Sequence, residues 1–249
     1  ETGLTQMNGM WRSLIAVDID NDGDLDFVAG NLGTNNDYHV SETEPLELFA
    51  ADIDNNGFLD PVQFYYLKDE NGSRRSYPAI SRSQFSEQVP LIKKQFLFYK
   101  DYAQASFRDI FNSKVQDRLQ KFYCNETRSC YFENMGGGKF VKHILPMQVQ
   151  FAPVNSILCD DFDNDGIKDI LLAGNEYQAE VMMGRYDASY GCFLKGTGKK
   201  SFQYISPVES GFMIRGDVKD LAVILMANGE KRILAAVNND DMRMFRINQ

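Results

Sequence analysis

The sequence predicts an all-β protein that repeats one unit, a hairpin of two apolar strands joined by an aspartate-rich turn, and carries one helical insertion. Three observations support this. A nine-residue acidic pattern occurs three times, over 18–26, 52–60 and 161–169. Each copy stands between short apolar and β-branched runs bounded by turn residues, as buried strands do. The one long stretch without the pattern, about residues 67–125, has helical spacing instead.

The first copy is Asp18-Ile19-Asp20-Asn21-Asp22-Gly23-Asp24-Leu25-Asp26. Carboxylates at positions one, three and five of a tight loop aim at one point. The backbone carbonyl of position seven and the carboxylate of position nine complete a shell of oxygens. Calcium takes six to eight oxygen ligands at about 2.3–2.6 Å, so this alternation suits it. Gly23 falls at position six, where the loop turns sharply and a Cβ would clash. The ligands expected are Asp18, Asp20, Asp22, Asp24 through its carbonyl, and Asp26. The second copy offers Asp52, Asp54, Asn56, the carbonyl of Phe58, and Asp60, with Asn56 replacing one carboxylate. The third offers Asp161, Asp163, Asp165, the carbonyl of Ile167, and Asp169. About three calcium sites are therefore expected. Metal-free Asp-Gly turns would leave four or five carboxylates crowded in the first and third loops with nothing to neutralise them, which is costly. Asp24 and Asp160 are extra acids beside the ligand sets. These loops are not EF-hands, which need a bidentate Glu at position twelve and flanking helices; position twelve is Ala29, Gln63 and Leu172.

The flanking strands read as Leu14-Ile15-Ala16-Val17 and Phe27-Val28-Ala29-Gly30-Asn31 for the first unit. For the second they are Leu48-Phe49-Ala50-Ala51 and Val62-Gln63-Phe64-Tyr65-Tyr66. For the third they are Ile157-Leu158-Cys159 and Ile170-Leu171-Leu172-Ala173-Gly174-Asn175. An acidic loop between two apolar strands, closed by Ala-Gly-Asn, resembles the FG-GAP or VCBS repeat. That repeat builds the calcium-binding β-propeller of integrin α-subunits and of many secreted bacterial proteins. Upstream of the third loop, Phe132-Glu133-Asn134-Met135-Gly136-Gly137-Gly138-Lys139-Phe140 resembles the family's outer hairpin and reads as part of the third unit. Gly184-Arg185-Tyr186-Asp187-Ala188-Ser189-Tyr190-Gly191 is similar to the carboxy-terminal part of bacterial surface proteins with these repeats. The resemblance covers most of the chain outside about 67–125. It implies a β-propeller, structural calcium, an extracellular, secreted or cell-surface location and a role in adhesion.

Within the insertion, Phe85, Val89, Ile92, Phe96 and Tyr99 fall on one helical face, with Pro90 near a helix start. Ile110, Phe111, Val115, Leu119 and Phe122 form a second such face, begun by Ser106-x-x-Asp109. This aromatic stripe is expected to pack on the propeller; a partner-binding cap is the sharper reading. A degenerate fourth unit has strands at Leu221-Ala222-Val223-Ile224-Leu225 and Ile233-Leu234-Ala235-Ala236-Val237-Asn238, joined through Asn228-Gly229. Its shortened loop at Asp217 is expected to hold no metal. Arg215-Gly216-Asp217 spells a tripeptide that some integrins bind, although Asp217 opens that loop. Four units at irregular spacing fit a partial or small propeller. The chain reads as part of a larger chain, an open arc or a small closed ring, forming one domain over 1–249.

Bulk properties narrow the function. The chain has 249 residues and a formal net charge of −9, and much of the acidity lies in the loops. Three calcium ions would bring it to about −3. No basic face is present for nucleic acid, and no apolar run approaches the length of a membrane span. No leader is visible, and Glu1-Thr2-Gly3 reads as what remains after one is cleaved. Cys124 and Cys130 bracket Asn-Glu-Thr-Arg-Ser and are the candidate pair for a small disulfide-closed loop, whereas Cys159 and Cys192 read as buried thiols. Only two histidines, His39 and His143, are present, with no G-x-S-x-G or H-E-x-x-H motif. The expected function is a non-catalytic, calcium-stabilised binding module for a protein or glycan. The alternatives are an enzyme or accessory domain of a secreted carbohydrate-active enzyme, using paired carboxylates, and a structural spacer in a larger surface protein.

Overall fold

The computed structural model describes residues 2–180, 184–198 and 200–247. In chain order, β1 (Ser13–Val17) and β2 (Asp26–Gly30) flank the first acidic loop. The second loop is flanked by β3 (Leu46–Ala51) and β4 (Asp60–Lys68), and β5 (Arg74–Pro78) follows. Short helices come next: α1 (Arg82–Gln88), α2 (Leu91–Gln95), α3 (Tyr99–Ala103), α4 (Phe107–Ile110) and α5 (Ser113–Gln116). The strands then resume with β6 (Gln120–Cys124), β7 (Cys130–Asn134) and β8 (Phe140–Ile144). The third loop lies between β9 (Val154–Asp160) and β10 (Asp169–Gly174), and β11 (Cys192–Gly196) and β12 (Phe202–Ile205) complete that group. One helical turn, α6 (Pro207–Ser210), leads to β13 (Val218–Leu225), β14 (Lys231–Val237) and β15 (Arg243–Arg246). Among the described residues the strands form four antiparallel sheets, ordered β1-β2-β7-β8, β5-β4-β3-β6, β12-β11-β10-β9 and β13-β14-β15. The protein is thus mostly β, with strand boundaries close to those read from the sequence.

The chain divides into two compact units, Glu1–Asn36 with Thr127–Gln249, and Asp37–Glu126. The compact unit that contains the helices begins before the second acidic hairpin, while the helices themselves, α1 to α5, lie within the stretch of about 67–125 read as the insertion. The outer hairpin β7-β8 also belongs to the first unit of the repeat, because β2 pairs with β7, Val28 opposite Tyr131. The sequence hid this because Asn31 and Ser129 are 98 positions apart in the chain, whereas in space Asn31 N–H donates to Ser129 Oγ at 3.0 Å.

In the larger unit, β10 is buried along its whole length. Both of its faces are covered, as in sheets stacked between neighbours. Ile170 and Leu172 pack with Val28, Tyr131 and Ile157 on one side. Leu171 and Ala173 pack with Phe212, Val218 and Ile233 on the other. Strand alternation sends successive side chains to opposite faces, so one strand serves two cores. Gly174 permits the closest approach here, since a Cβ would stand 1.7 Å from the Pro153 carbonyl oxygen. Trp11 is 37% exposed and meets the ring of Phe132 edge-on at 6.0 Å.

In the smaller unit, Phe49, Val62 and Phe64 on β3 and β4 are covered by Phe85, Val89, Ile92, Phe96, Phe111 and Val115. The helical stripe thus packs on this unit's own sheet. Two longer helices were expected, and several short ones form. Pro90 stands at the start of α2, where its fixed φ fits and its missing N–H costs nothing. Residues 120–124 are strand β6 rather than helix, with Phe122 56% exposed. Tyr99 leaves the apolar face, and its hydroxyl lies 3.0 Å from Ser83 Oγ.

Candidate metal centres

The three acidic loops share one backbone design. Position four is Asn in each, at φ 59°, 63° and 59° for Asn21, Asn55 and Asn164. Position six is Gly, at φ 97°, 90° and 85° for Gly23, Gly57 and Gly166. Asn tolerates the left-handed region better than most residues, and Gly enters it freely. Asn at position four was a signal present in the sequence that the carboxylate pattern overshadowed.

That backbone draws the side chains inward. The position-one carboxylate accepts the position-six N–H in every loop: Gly23 to Asp18 at 3.1 Å, Gly57 to Asp52 at 3.0 Å, Gly166 to Asp161 at 2.9 Å. Position three accepts the N–H of position five: Asp22 to Asp20 at 3.3 Å, Asn56 to Asp54 at 3.2 Å, Asp165 to Asp163 at 3.3 Å. Position five accepts the N–H of position seven: Asp24 to Asp22 at 3.0 Å, Phe58 to Asn56 at 2.8 Å, Ile167 to Asp165 at 2.9 Å. These bonds occupy part of each oxygen's capacity and leave further lone pairs directed at the loop centre.

Position nine plays a second part. Asp26, Asp60 and Asp169 are 1%, 4% and 0% exposed. Each accepts the N–H of position two, from Ile19 at 3.1 Å, Ile53 at 2.9 Å and Phe162 at 3.1 Å. Asp26 and Asp169 also accept an N–H from the third strand of their sheets, Asn134 at 2.8 Å and Gly196 at 2.8 Å. Burial pushes all three carboxyls above their ordinary range, against these hydrogen bonds.

Side-chain oxygens converge within 4.8 Å of one another in three trios: Asp18, Asp20 and Asp22; Asp52, Asp54 and Asp60; Asp161, Asp163 and Asp169. The donor set is all oxygen, which suits a hard cation such as calcium or magnesium. In the first loop, Asp18 Oδ1 and Asp24 Oδ1 are buried without a hydrogen-bond partner. Burial first, then the charges of Asp22, Asp26, Asp20 and Asp18, push the Asp24 carboxyl upward. A cation at the loop centre would relieve both features, so the residues fit one. Lysines supply part of the positive charge: Lys200 Nζ lies 2.7 Å from Asp20, and Lys195 Nζ lies 3.0 Å from Asp165 and also contacts Asp163. The hydrogen bond from Lys200 holds Asp20 below the ordinary carboxylate range, and that from Lys195 does the same for Asp165.

Asp160, adjacent to the third loop, is turned to Lys231 at 2.7 Å and Lys168 at 3.5 Å. Asp217 is fully buried, with Lys219 at 2.8 Å and the Asn238 amide at 3.3 Å. Burial thus removes Arg215-Gly216-Asp217 from adhesive use, and Arg215 lies over the Tyr190 ring at 5.4 Å. Cys124 and Cys130 are both buried. Their sulfurs donate to the carbonyls of Glu126 at 3.4 Å and Arg128 at 3.3 Å. His143 Nε2 lies 2.8 Å from Glu133, and its ring stacks on Tyr131 at 5.4 Å. Compared with protein-family models, with curated proteins and with solved structures, the chain matches none of them.

Proposed function

We propose that this chain is a non-catalytic extracellular binding module of the FG-GAP or VCBS type, whose three acidic loops are pinned by calcium. The observation that carries this reading is the repetition of one loop geometry in three places, with two orphaned buried carboxylate oxygens in the first. Asp18, Asp20, Asp22, the Asp24 carbonyl and Asp26 would hold the first ion, Asp52, Asp54, Asn56, the Phe58 carbonyl and Asp60 the second, and Asp161, Asp163, Asp165, the Ile167 carbonyl and Asp169 the third, with each position-nine carboxylate also accepting the position-two N–H of its loop. Calcium would supply positive charge and fix the turns. Weak sites of about 10⁻⁴–10⁻³ M suit the millimolar calcium outside cells. Among the described residues the carboxyls pushed upward are Asp24, Asp26, Asp60 and Asp169, all within the loops. That placement favours metal binding over general acid catalysis, where a raised carboxyl in a separate cleft is wanted. The test is thermal unfolding with calcium and with excess chelator, with metal counted on the same sample. A rise in midpoint with about three calcium ions per chain supports the reading; no shift and no bound calcium rejects it.

A further inference from the structure

Between α2 and α3 the smaller unit turns apolar side chains outward. Phe96 and Tyr102 are buried in its core, with their rings edge-on at 5.6 Å. Between them, Leu97, Phe98 and Tyr99 are 71%, 69% and 64% exposed. Leu91 on α2 is exposed as well. Single exposed apolar residues are ordinary, but a contiguous group marks an interaction surface.

The turn that carries them is braced from behind. Arg82 Nε donates to the Phe96 carbonyl at 2.7 Å, and Arg82 Nη2 donates to the Leu97 carbonyl at 3.4 Å. The same guanidinium lies over the Tyr99 ring at 4.8 Å. Tyr102 Oη donates to the Ile80 carbonyl at 2.9 Å. Two buried rings and one arginine thus hold Leu97 and Phe98 out in water. The local charge also departs from that of the chain, whose formal net charge is −9. From Leu91 to Ala103, Lys93, Lys94 and Lys100 stand against a single acid, Asp101, and all three lysines are exposed. The Tyr99 hydroxyl is held below its ordinary range by its hydrogen bond with Ser83 first, then by the charges of Arg82 and Lys93. Lys93 therefore stands near the polar end of that ring.

We propose that this tip docks on an anionic lipid bilayer. Leu97 and Phe98 enter the boundary of the acyl chains, Tyr99 lies at headgroup level, and Lys93, Lys94 and Lys100 face the lipid phosphates. An apolar group with an amphipathic ring and flanking lysines suits a segment that lies in the interface without crossing it. The lysine stems can follow the apolar layer while the ammonium groups stay among the headgroups. A protein partner fits less well, because lysine is depleted from protein–protein interfaces. The proposal rests on the binding-module reading and names the surface it binds.

The test sediments the whole chain, in calcium, with vesicles of phosphatidylcholine alone or mixed equally with phosphatidylglycerol. Expected is binding to the mixed vesicles that weakens as salt is raised. Leu97→Ser with Phe98→Ser weakens it about tenfold or more, and Lys93→Glu with Lys94→Glu does the same. All four positions are exposed, and unchanged unfolding midpoints show that the fold is kept. Val208→Asp, at a position 92% exposed on α6, leaves binding unchanged. In Phe98→Trp, emission shifts to the blue and is quenched by lipids brominated in their acyl chains, whereas Trp11, the one native tryptophan, is not quenched in the wild-type chain. Absence of binding at lipid concentrations on the order of millimolar, equal binding to neutral vesicles, or equal binding by the Ser variant overturns the proposal. So does self-association that the Ser variant abolishes without any vesicle binding, which would make the tip a protein interface. Calcium is counted on the same sample. Bound calcium without vesicle binding rejects the tip alone, and vesicle binding without bound calcium supports the tip while rejecting the metal reading.

Discussion

Asp26 accepts the backbone N–H of Asn134 at 2.8 Å, 108 positions further along the chain. The same carboxylate accepts the N–H of Ile19 at 3.1 Å. One side chain therefore closes its own loop and fastens β2 to the strand that joins its sheet after the whole smaller unit has intervened. Asp169 repeats the arrangement with Phe162 and Gly196. Position nine is thus a structural tie whether or not a metal is bound.

Asp26→Ala and Asp22→Ala should consequently differ in kind. Losing Asp26 leaves two N–H groups without their acceptor, and each buried unsatisfied group costs about 1–3 kcal/mol. Asp26→Ala is expected to lose about 3 kcal/mol in chelator as well as in calcium. Asp22 is exposed, and Asp22→Ala is expected to lose stability only in calcium. Urea unfolding of both variants in each condition checks this; equal losses for both in chelator would reject the division of labour.

The sequence displayed the loops because their chemistry is local: nine consecutive residues contain the carboxylates and the glycine. The strands beside them were equally legible, since β10 and its neighbours are short apolar runs. Sheet membership was not local. Whether β7 joins β2 or β9 depends on pairing across the smaller unit, and no residue near Cys130 announces it. The stripe from Phe85 to Phe96 was legible as a buried face, but its target, Phe49 and Phe64, was set by packing rather than by pattern. Residues 120–124 alternate too briefly to override the helical spacing that precedes them.

Removal of the smaller unit should leave the larger one folded. Gly33 N–H donates to the Thr127 carbonyl at 2.7 Å, so the chain leaves and re-enters the larger unit at neighbouring points. Adjacent ends are the usual condition for a tolerated insertion. A chain with a short Gly/Ser linker in place of residues 37–126 is expected to unfold cooperatively and to bind about two calcium ions. Calorimetry and metal counting check it; a chain without a cooperative transition would show that the two units depend on each other.

Lys195 reaches both Asp163 and Asp165, where it stands in competition with a cation for the third loop. Lys195→Met should weaken the metal-free protein and tighten calcium binding several-fold, because a nearby positive charge no longer opposes the ion. Calcium titration of the variant beside the wild-type chain checks this. Unchanged or weaker affinity would mean that the lysine does not oppose the ion.

The start of α4 offers a pH-dependent test away from the loops. Ser106 donates its N–H and its hydroxyl to Asp109, at 2.8 and 2.7 Å. The hydroxyl bond first, then the backbone bond, hold the Asp109 carboxyl below its ordinary value of 3.8. A carboxyl lowered in the folded state binds fewer protons there than in the unfolded chain. Its contribution is present above pH 3.8 and disappears as the pH falls through the lowered value. Asp109→Ala should therefore cost about 1 kcal/mol near neutral pH, typical of a lost cap, and progressively less on acidification below 3.8. Chemical unfolding of wild type and variant across that range checks the prediction, and a loss independent of pH would assign the cap's contribution to packing rather than to the carboxylate's charge.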